Sequence, residues 1–148
     1  MANDNLLMDA ESLDENADLG LEYLGELIDA YLNQATEVVA ELHGAIRDHR
    51  PKDLSDMAHR LAGSSAACGA SAVMTTLRKL EQCGREENLE PADALLDQVI
   101  AQLQTTQQFL EGYVHQKGAS FRASFTPPTG VSFATTTNDR RAKGFKSE

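Results

Sequence analysis

The sequence predicts an all-α protein, an antiparallel up-down four-helix bundle with a short N-terminal helical extension. Three observations carry that prediction. Apolar residues recur at three-four spacing in four successive segments. No stretch alternates with a period of two or carries a hairpin turn. The breaks at Arg50-Pro51, Gly69 and Glu90-Pro91 are short, and short loops between long helices make antiparallel neighbours.

The first long stripe runs Leu21, Leu24, Leu27/Ile28, Tyr31/Leu32, Ala35, Val38/Val39, Leu42 and Ala45/Ile46. Asn33 is a residue type that caps helices, so this stretch is one long helix or two with a bend near residue 33. Pro51 suits a first helical turn. The second stripe is Leu54, Met57/Ala58, Leu61, Ser65 and Cys68, and Gly69 breaks it. The third holds Val73, Leu77, Leu80 and Gly84. The last, after Pro91, holds Leu95/Leu96, Val99, Leu103, Thr106, Leu110 and Tyr113/Val114. Residues 1–9 read as a flexible N-terminus, 10–116 as the bundle with its N-terminal piece as a lid, and 117–148 as a tail.

The tail differs in charge. From Lys117 onward there are six basic and two acidic residues, against seven basic and 21 acidic before it, so a body of −14 carries a tail of +4. With Pro127, Pro128, many Ser and Thr and no helical period, the tail is expected to be disordered or loosely attached. Four of the five Phe lie in it, and Ser-Phe recurs at 120–121, 124–125 and 132–133. This is either chance in a biased segment or a short docking segment, for a partner or for the chain's own acidic body.

The 148 residues are 41% apolar and 5% aromatic, with no Trp and a net charge of −10. That composition can bury one core. The acidic body argues against nucleic acid, whose phosphates need cations. The N-terminus lacks a basic region followed by an apolar one, so no secretory signal is expected. The uncharged stretch from Leu61 to Met74 is too short to span a bilayer, so no membrane partner is expected. Cys68 and Cys83 make no disulfide framework and read as small packing residues. These features lead to the expectation of a cytoplasmic protein with reduced thiols; a monomer is expected as well, although the sequence does not fix the oligomeric state.

The segment from residue 51 to 68 breaks the plainness of the bundle. At about 100° per residue, with Leu61 at zero, His59 falls at about 160°, away from the core. Ser55, Asp56, Gly63 and Ala66 share its face, with Ala62 alongside. Gly63, one turn on, costs ~1 kcal/mol relative to Ala, a cost that makes sense if something must approach the imidazole closely. With the turn near Gly69, His59 stands level with residues about 80–81. Glu81 and Gln82 are therefore neighbours, with Arg78 and Arg85 about one turn to either side. Four of the body's seven basic residues lie between Arg60 and Arg85, which suits a site that holds an anion. No Ser or Cys pairs with His59 as in a hydrolase triad, and His43 and His49 are not at metal-ligand spacing. An accessible imidazole can nevertheless act as a nucleophile towards phosphorus.

The run AHRLAGSSAACGA, Ala58 to Ala70, resembles the signature of histidine-containing phosphotransfer (HPt) domains, through His59, Leu61, Gly63, Ser64, Ser65 and Gly69. ELIDAYL, Glu26 to Leu32, resembles the first bundle helix of that family, and Arg85 stands where yeast and plant relatives carry a basic residue. The resemblance covers about residues 10–116. It implies a phosphorelay intermediate, a carrier and not an enzyme, that accepts a phosphoryl group on His59 and passes it on. The implied partners are response-regulator receiver domains and hybrid sensor histidine kinases. The receiver brings the phospho-aspartate, the Mg²⁺ and the catalytic groups, and the chain itself holds no cofactor. Arg60, Gly63, Ser64, Arg78, Glu81, Gln82 and Arg85 would surround the histidine and its phosphate.

Ala62 departs from the family pattern, which usually has Lys there, so either Arg60, Arg78 or Arg85 compensates by reach or the phospho-form is less stable. Glu81 stands where relatives often carry Gln, and either orients the imidazole Nδ1–H or joins a surface ion pair with Arg78 or Arg85. Ser64 reads as a helix-surface hydroxyl that can help hold the phosphate. The alternative function is a pseudo-HPt or helical adaptor that binds a receiver or kinase without transfer. A docking surface would draw on exposed members of Leu21, Leu24 and Ile28, although periodicity places these in the core.

Overall fold

A computed structural model describes residues 10–118 and 121–127. The described chain forms five helices: α1 (Ala10–Asp18), α2 (Leu21–Arg47), α3 (Pro51–Ala67), α4 (Ser71–Arg85) and α5 (Ala92–Gln116). Among the described residues there is no strand. Helix α2 packs on α3 and α5, and α4 packs on α3 and α5. The four long helices therefore form a ring with two diagonals, the up-down bundle the periodicity predicts.

The buried stripes coincide with the predicted ones. On α2, Leu24, Ile28, Tyr31, Leu32, Ala35, Val38, Val39, Leu42 and Ala45 are almost without exposure. That stripe runs unbroken past Asn33, which is exposed, so α2 is one helix of 27 residues and Asn33 caps nothing. Two hydroxyls inside the stripes meet across helices, Tyr31 and Ser65, 2.6 Å apart between α2 and α3. Burial also pushes the Tyr31 phenol up and the Cys68 thiol to about 12, so neither ionises near neutrality. Both cysteines are buried and free, as packing residues should be.

Helix α1 is the lid. Leu13 is 1% exposed. The Tyr113 hydroxyl donates to Asp14 Oδ1 at 2.7 Å, and Asn16 Nδ2 donates to the Ala67 carbonyl at 3.4 Å. Gly69, with φ of +81°, closes α3 in the left-handed conformation, and the Ala70 N–H reaches back to the Ser65 carbonyl at 2.8 Å. That turn sets the register of α4 against α3.

The α3–α4 seam is the closest in the bundle, and Gly84 is the reason. A Cβ at Gly84 would stand 2.5 Å from the Pro51 carbonyl oxygen, 2.7 Å from Ser55 N and 2.8 Å from Ser55 Cβ. Two of those atoms are backbone at the start of α3 and cannot step aside cheaply. Gly84→Ala is expected to destabilise the fold by about 2–3 kcal/mol despite its better helix propensity. Thermal unfolding should show this as a midpoint lowered by on the order of 10 °C.

One expectation fails. Residues 121–127 are not a loose tail but lie along the seam between α2 and α5. Asp29 Oδ1 on α2 accepts the backbone N–H groups of Arg122 and Ala123 at 2.8 and 2.7 Å. Gln107 Oε1 on α5 accepts from Phe125 N at 2.9 Å, and Thr36 Oγ1 on α2 from Thr126 N at 3.1 Å. Phe125 is 5% exposed. Composition misled here because a few apolar residues at the right parity suffice to dock a short segment, whatever surrounds them. Residues 1–9, 119–120 and 128–148 lie outside the described residues, and with them Ser120 and the Ser-Phe pair at 132–133.

Candidate functional site

Leu54, Ala58, Leu61 and Ala62 fix α3 by its buried face, which leaves His59 outward with a side chain 63% exposed. The imidazole leans on α4. Its Nδ1 lies 2.9 Å from Glu81 Oε2, and the Glu81 side chain is only 6% exposed. Arg78 Nη1 donates to Glu81 Oε1 at 3.1 Å and Arg85 Nη2 to Oε2 at 2.6 Å. Arg78, Glu81 and Arg85 stand at three- and four-residue spacing, hence on one ridge of α4. The register predicted from the Gly69 turn thus brings His59 to Glu81. Glu81 does both things the sequence left open, binding the imidazole and pairing with two arginines.

The carboxylate settles the tautomer. Burial pushes the Glu81 carboxyl up, but the hydrogen bonds from Arg78 and His59 and the charge of Arg85 outweigh it, so its pKa lies below the ordinary value. A carboxylate accepts and cannot donate. The Nδ1–Glu81 contact is therefore an Nδ1–H donating to Oε2. Arg78 Nη1 also lies 3.3 Å from Nδ1, but a protonated Nδ1 accepts nothing, so that approach is only a nearby charge. Neutral His59 then carries its free lone pair on Nε2, the other ring nitrogen. Around it, two guanidinium groups against one carboxylate leave a local charge of +1 on a strongly acidic body.

Other expected site residues fall elsewhere. Arg60 points across to Glu41 on α2, 3.8 Å away, and does not join the cluster. Its place about 100° from Leu61 on the side opposite Ala62 explains this. Gln82 Nε2 binds Glu86 at 2.6 Å, one helical step from the imidazole. Ser64 Oγ turns back to the Arg60 carbonyl at 3.5 Å. Gly63 stands as expected: a Cβ there meets nothing within 4 Å, so packing does not require the glycine. Ala62 is fully buried on the side of α3 that meets α4, and a cation reaches the imidazole from α4, by Arg78. Leu24 and Ile28 are core residues and offer no docking surface, whereas Leu19, Tyr23 and Phe109 are the large exposed apolar side chains among the described residues. Those residues also contain no group of His, Cys, Asp and Glu able to hold a metal ion. No helix among them is long and apolar enough to cross a membrane.

The model of the Hpt domain family matches residues 26–109, more than half of the chain and the part that contains His59, Glu81 and both arginines. The chain belongs to the Hpt domain family. The fold is similar to that of histidine-containing phosphotransfer protein B from Pseudomonas aeruginosa PAO1, known from a crystal structure. The TM-score is 0.70 at 22% identity, over 76% of this chain and 97% of that one. Comparison with curated proteins gives no match. As an Hpt domain the chain is a phosphoryl carrier of two-component systems, a class that works with receiver domains or kinases. The Tyr31–Ser65 pair and the seat of residues 121–127 between α2 and α5 were the parts of this Hpt domain that sequence reasoning missed, although a docking segment was one of its two readings of the Ser-Phe repeat. Two hydroxyls in facing apolar stripes were the available signal for the first.

Proposed function

We propose that His59 Nε2 accepts a phosphoryl group from the phospho-aspartate of a receiver domain and passes it to another receiver. The observation that carries this reading is the Nδ1–H bond to Glu81, which in the neutral ring puts the lone pair on Nε2 of a largely exposed side chain. In-line attack forms the Nε2–P bond as the aspartyl O–P bond breaks, and the bonding electrons leave on the aspartate carboxylate. No proton moves, because Nδ1 keeps its own. The ring gains positive charge as the new bond forms, and Glu81 faces that charge. Arg78 and Arg85, each partly exposed, stand where they can turn to the phosphoryl oxygens. Positioning and charge are what this transfer needs from the carrier. The Mg²⁺ and the remaining groups would come from the receiver.

The bare face around His59 supports close approach by a second protein, and Gly63 tests it. Because a side chain at Gly63 meets nothing in the bundle, Gly63→Gln should fold at least as stably as the parent, with a gain of up to about 1 kcal/mol. Its side chain would stand one turn from His59, in the path of the receiver. Mixing the protein with a phosphorylated receiver and Mg²⁺ should label the parent quickly and Gly63→Gln about tenfold more slowly. Equal labelling of both would remove the role given to Gly63. Binding of receivers without any labelling would favour an adaptor over a carrier.

A further inference from the structure

The seam between α2 and α5 lies on the far side of the bundle from His59, which sits where α3 meets α4. It carries a binding arrangement that phosphotransfer does not use. Residues 121, 123 and 125 turn inward and 122, 124 and 126 outward, the period of an extended chain. Phe121 and Ala123 pack on the core beside the buried Phe125. Four backbone N–H groups are taken by side chains of the two flanking helices: two by Asp29, one by Thr36 and one by Gln107. Such amides would otherwise be left to solvent, and a single carboxylate oxygen that takes two successive ones fixes the register of the segment. Charge agrees as well. Lys117 and Arg122 are the ionisable side chains between 117 and 127, and the helices they lie against belong to a body of −14. Gly118, with φ of +82°, supplies the reversal that sends the chain back along α5.

We infer that the α2/α5 seam is a recognition groove for an extended, basic segment with Phe at positions i and i+4, and that residues 121–127 occupy it as a releasable latch. The latch is a separate opening unit. It touches the bundle through the buried Phe125, the partly buried Phe121 and Ala123, and four hydrogen bonds to side-chain acceptors, far less than any of the four long helices does. It therefore opens while the helices stay folded, and its opening leaves the His59–Glu81 contact unchanged.

Amide hydrogen exchange on the full chain tests this. The amides of Arg122, Ala123, Phe125 and Thr126 should exchange at least about tenfold more slowly than in a free peptide, yet much faster than those of α3 and α4. Phe125→Ala should bring all four to free-peptide rates together and leave α3 and α4 unaffected. Asp29→Ala, which removes a partly buried acceptor and leaves the core intact, should do the same. A labelled synthetic peptide of residues 119–128 should then bind the full-length Phe125→Ala protein and not the parent, and the same peptide with both Phe changed to Ala should not bind. Free-peptide exchange at these amides in the parent would overturn the inference. So would a vacated groove that does not take the peptide, or exchange of the four amides only together with the helices.

Discussion

His59→Gln should abolish phosphoryl acceptance and leave the fold in place. The imidazole is mostly outside the core, so its replacement should change stability by no more than about 1 kcal/mol. A glutamine amide can still donate to Glu81, which keeps the α3–α4 contact. It has no nitrogen lone pair able to attack phosphorus, so labelling from a phosphorylated receiver should fall to background. The other histidines lack this arrangement. Among the described residues, no ring nitrogen of His43, His49 or His115 is hydrogen-bonded to a carboxylate that would fix its tautomer. Helical circular dichroism and the labelling assay, run on the same preparation, separate loss of chemistry from loss of structure. Residual labelling of His59→Gln would move the acceptor to another residue.

Changes at Glu81 should have the next largest effect, with Ala and Gln behaving differently. Glu81→Ala removes the acceptor that holds Nδ1–H and leaves two guanidinium groups facing each other. Imidazole is then free to place its proton on Nε2, and transfer should slow by about 10–100-fold, the range seen when a partner that orients a histidine is lost. Stability should fall by about 1–3 kcal/mol, at the lower end because Arg78 and Arg85 can turn to water. Glu81→Gln keeps one oxygen for Nδ1–H but loses the charge facing the ring and one of the two acceptors of the arginines, so its transfer rate should lie between the two. The same pair sets an acid limit. The Glu81 pKa is lower in the folded chain than in the unfolded one. Its contribution to stability is therefore complete above the unfolded value and is lost as pH falls through the lowered folded value. Acid titration of Glu81→Gln against the parent should show the difference in stability closing in that direction. A difference that grows on acidification would contradict the sign.

The four stripes, the turn at Gly69 and the outward histidine were legible in the sequence because each depends only on spacing along one helix. The pairing of His59 with Glu81 was legible one step further, since a short turn and equal rise fix which residues of α3 and α4 stand level. Arg60 was misplaced because charge near the histidine in sequence says nothing of direction. About 100° to the other side of Leu61, it serves α2 instead. The continuity of α2 past Asn33 was undecided, because a capping residue and an exposed polar residue look alike until burial on both sides is known. The Ser-Phe repeat raised a docking segment as one of two readings, but where the latch seats was hidden for a different reason. Its affinity comes from backbone amides, which have no sequence signature, and from acceptors at Asp29, Thr36 and Gln107, which lie far away in the chain.

The central claim is that Glu81 holds the proton on Nδ1 and so presents Nε2 for transfer. Nuclear magnetic resonance of the protein labelled with ¹⁵N at histidine, before and after phosphorylation by a receiver, tests it most directly. The account predicts an Nδ1–H tautomer of His59 before transfer and phosphorus bonded to Nε2 of His59 afterwards, with the Nδ1 proton retained. Phosphorus on Nδ1, or on a different histidine, would contradict it.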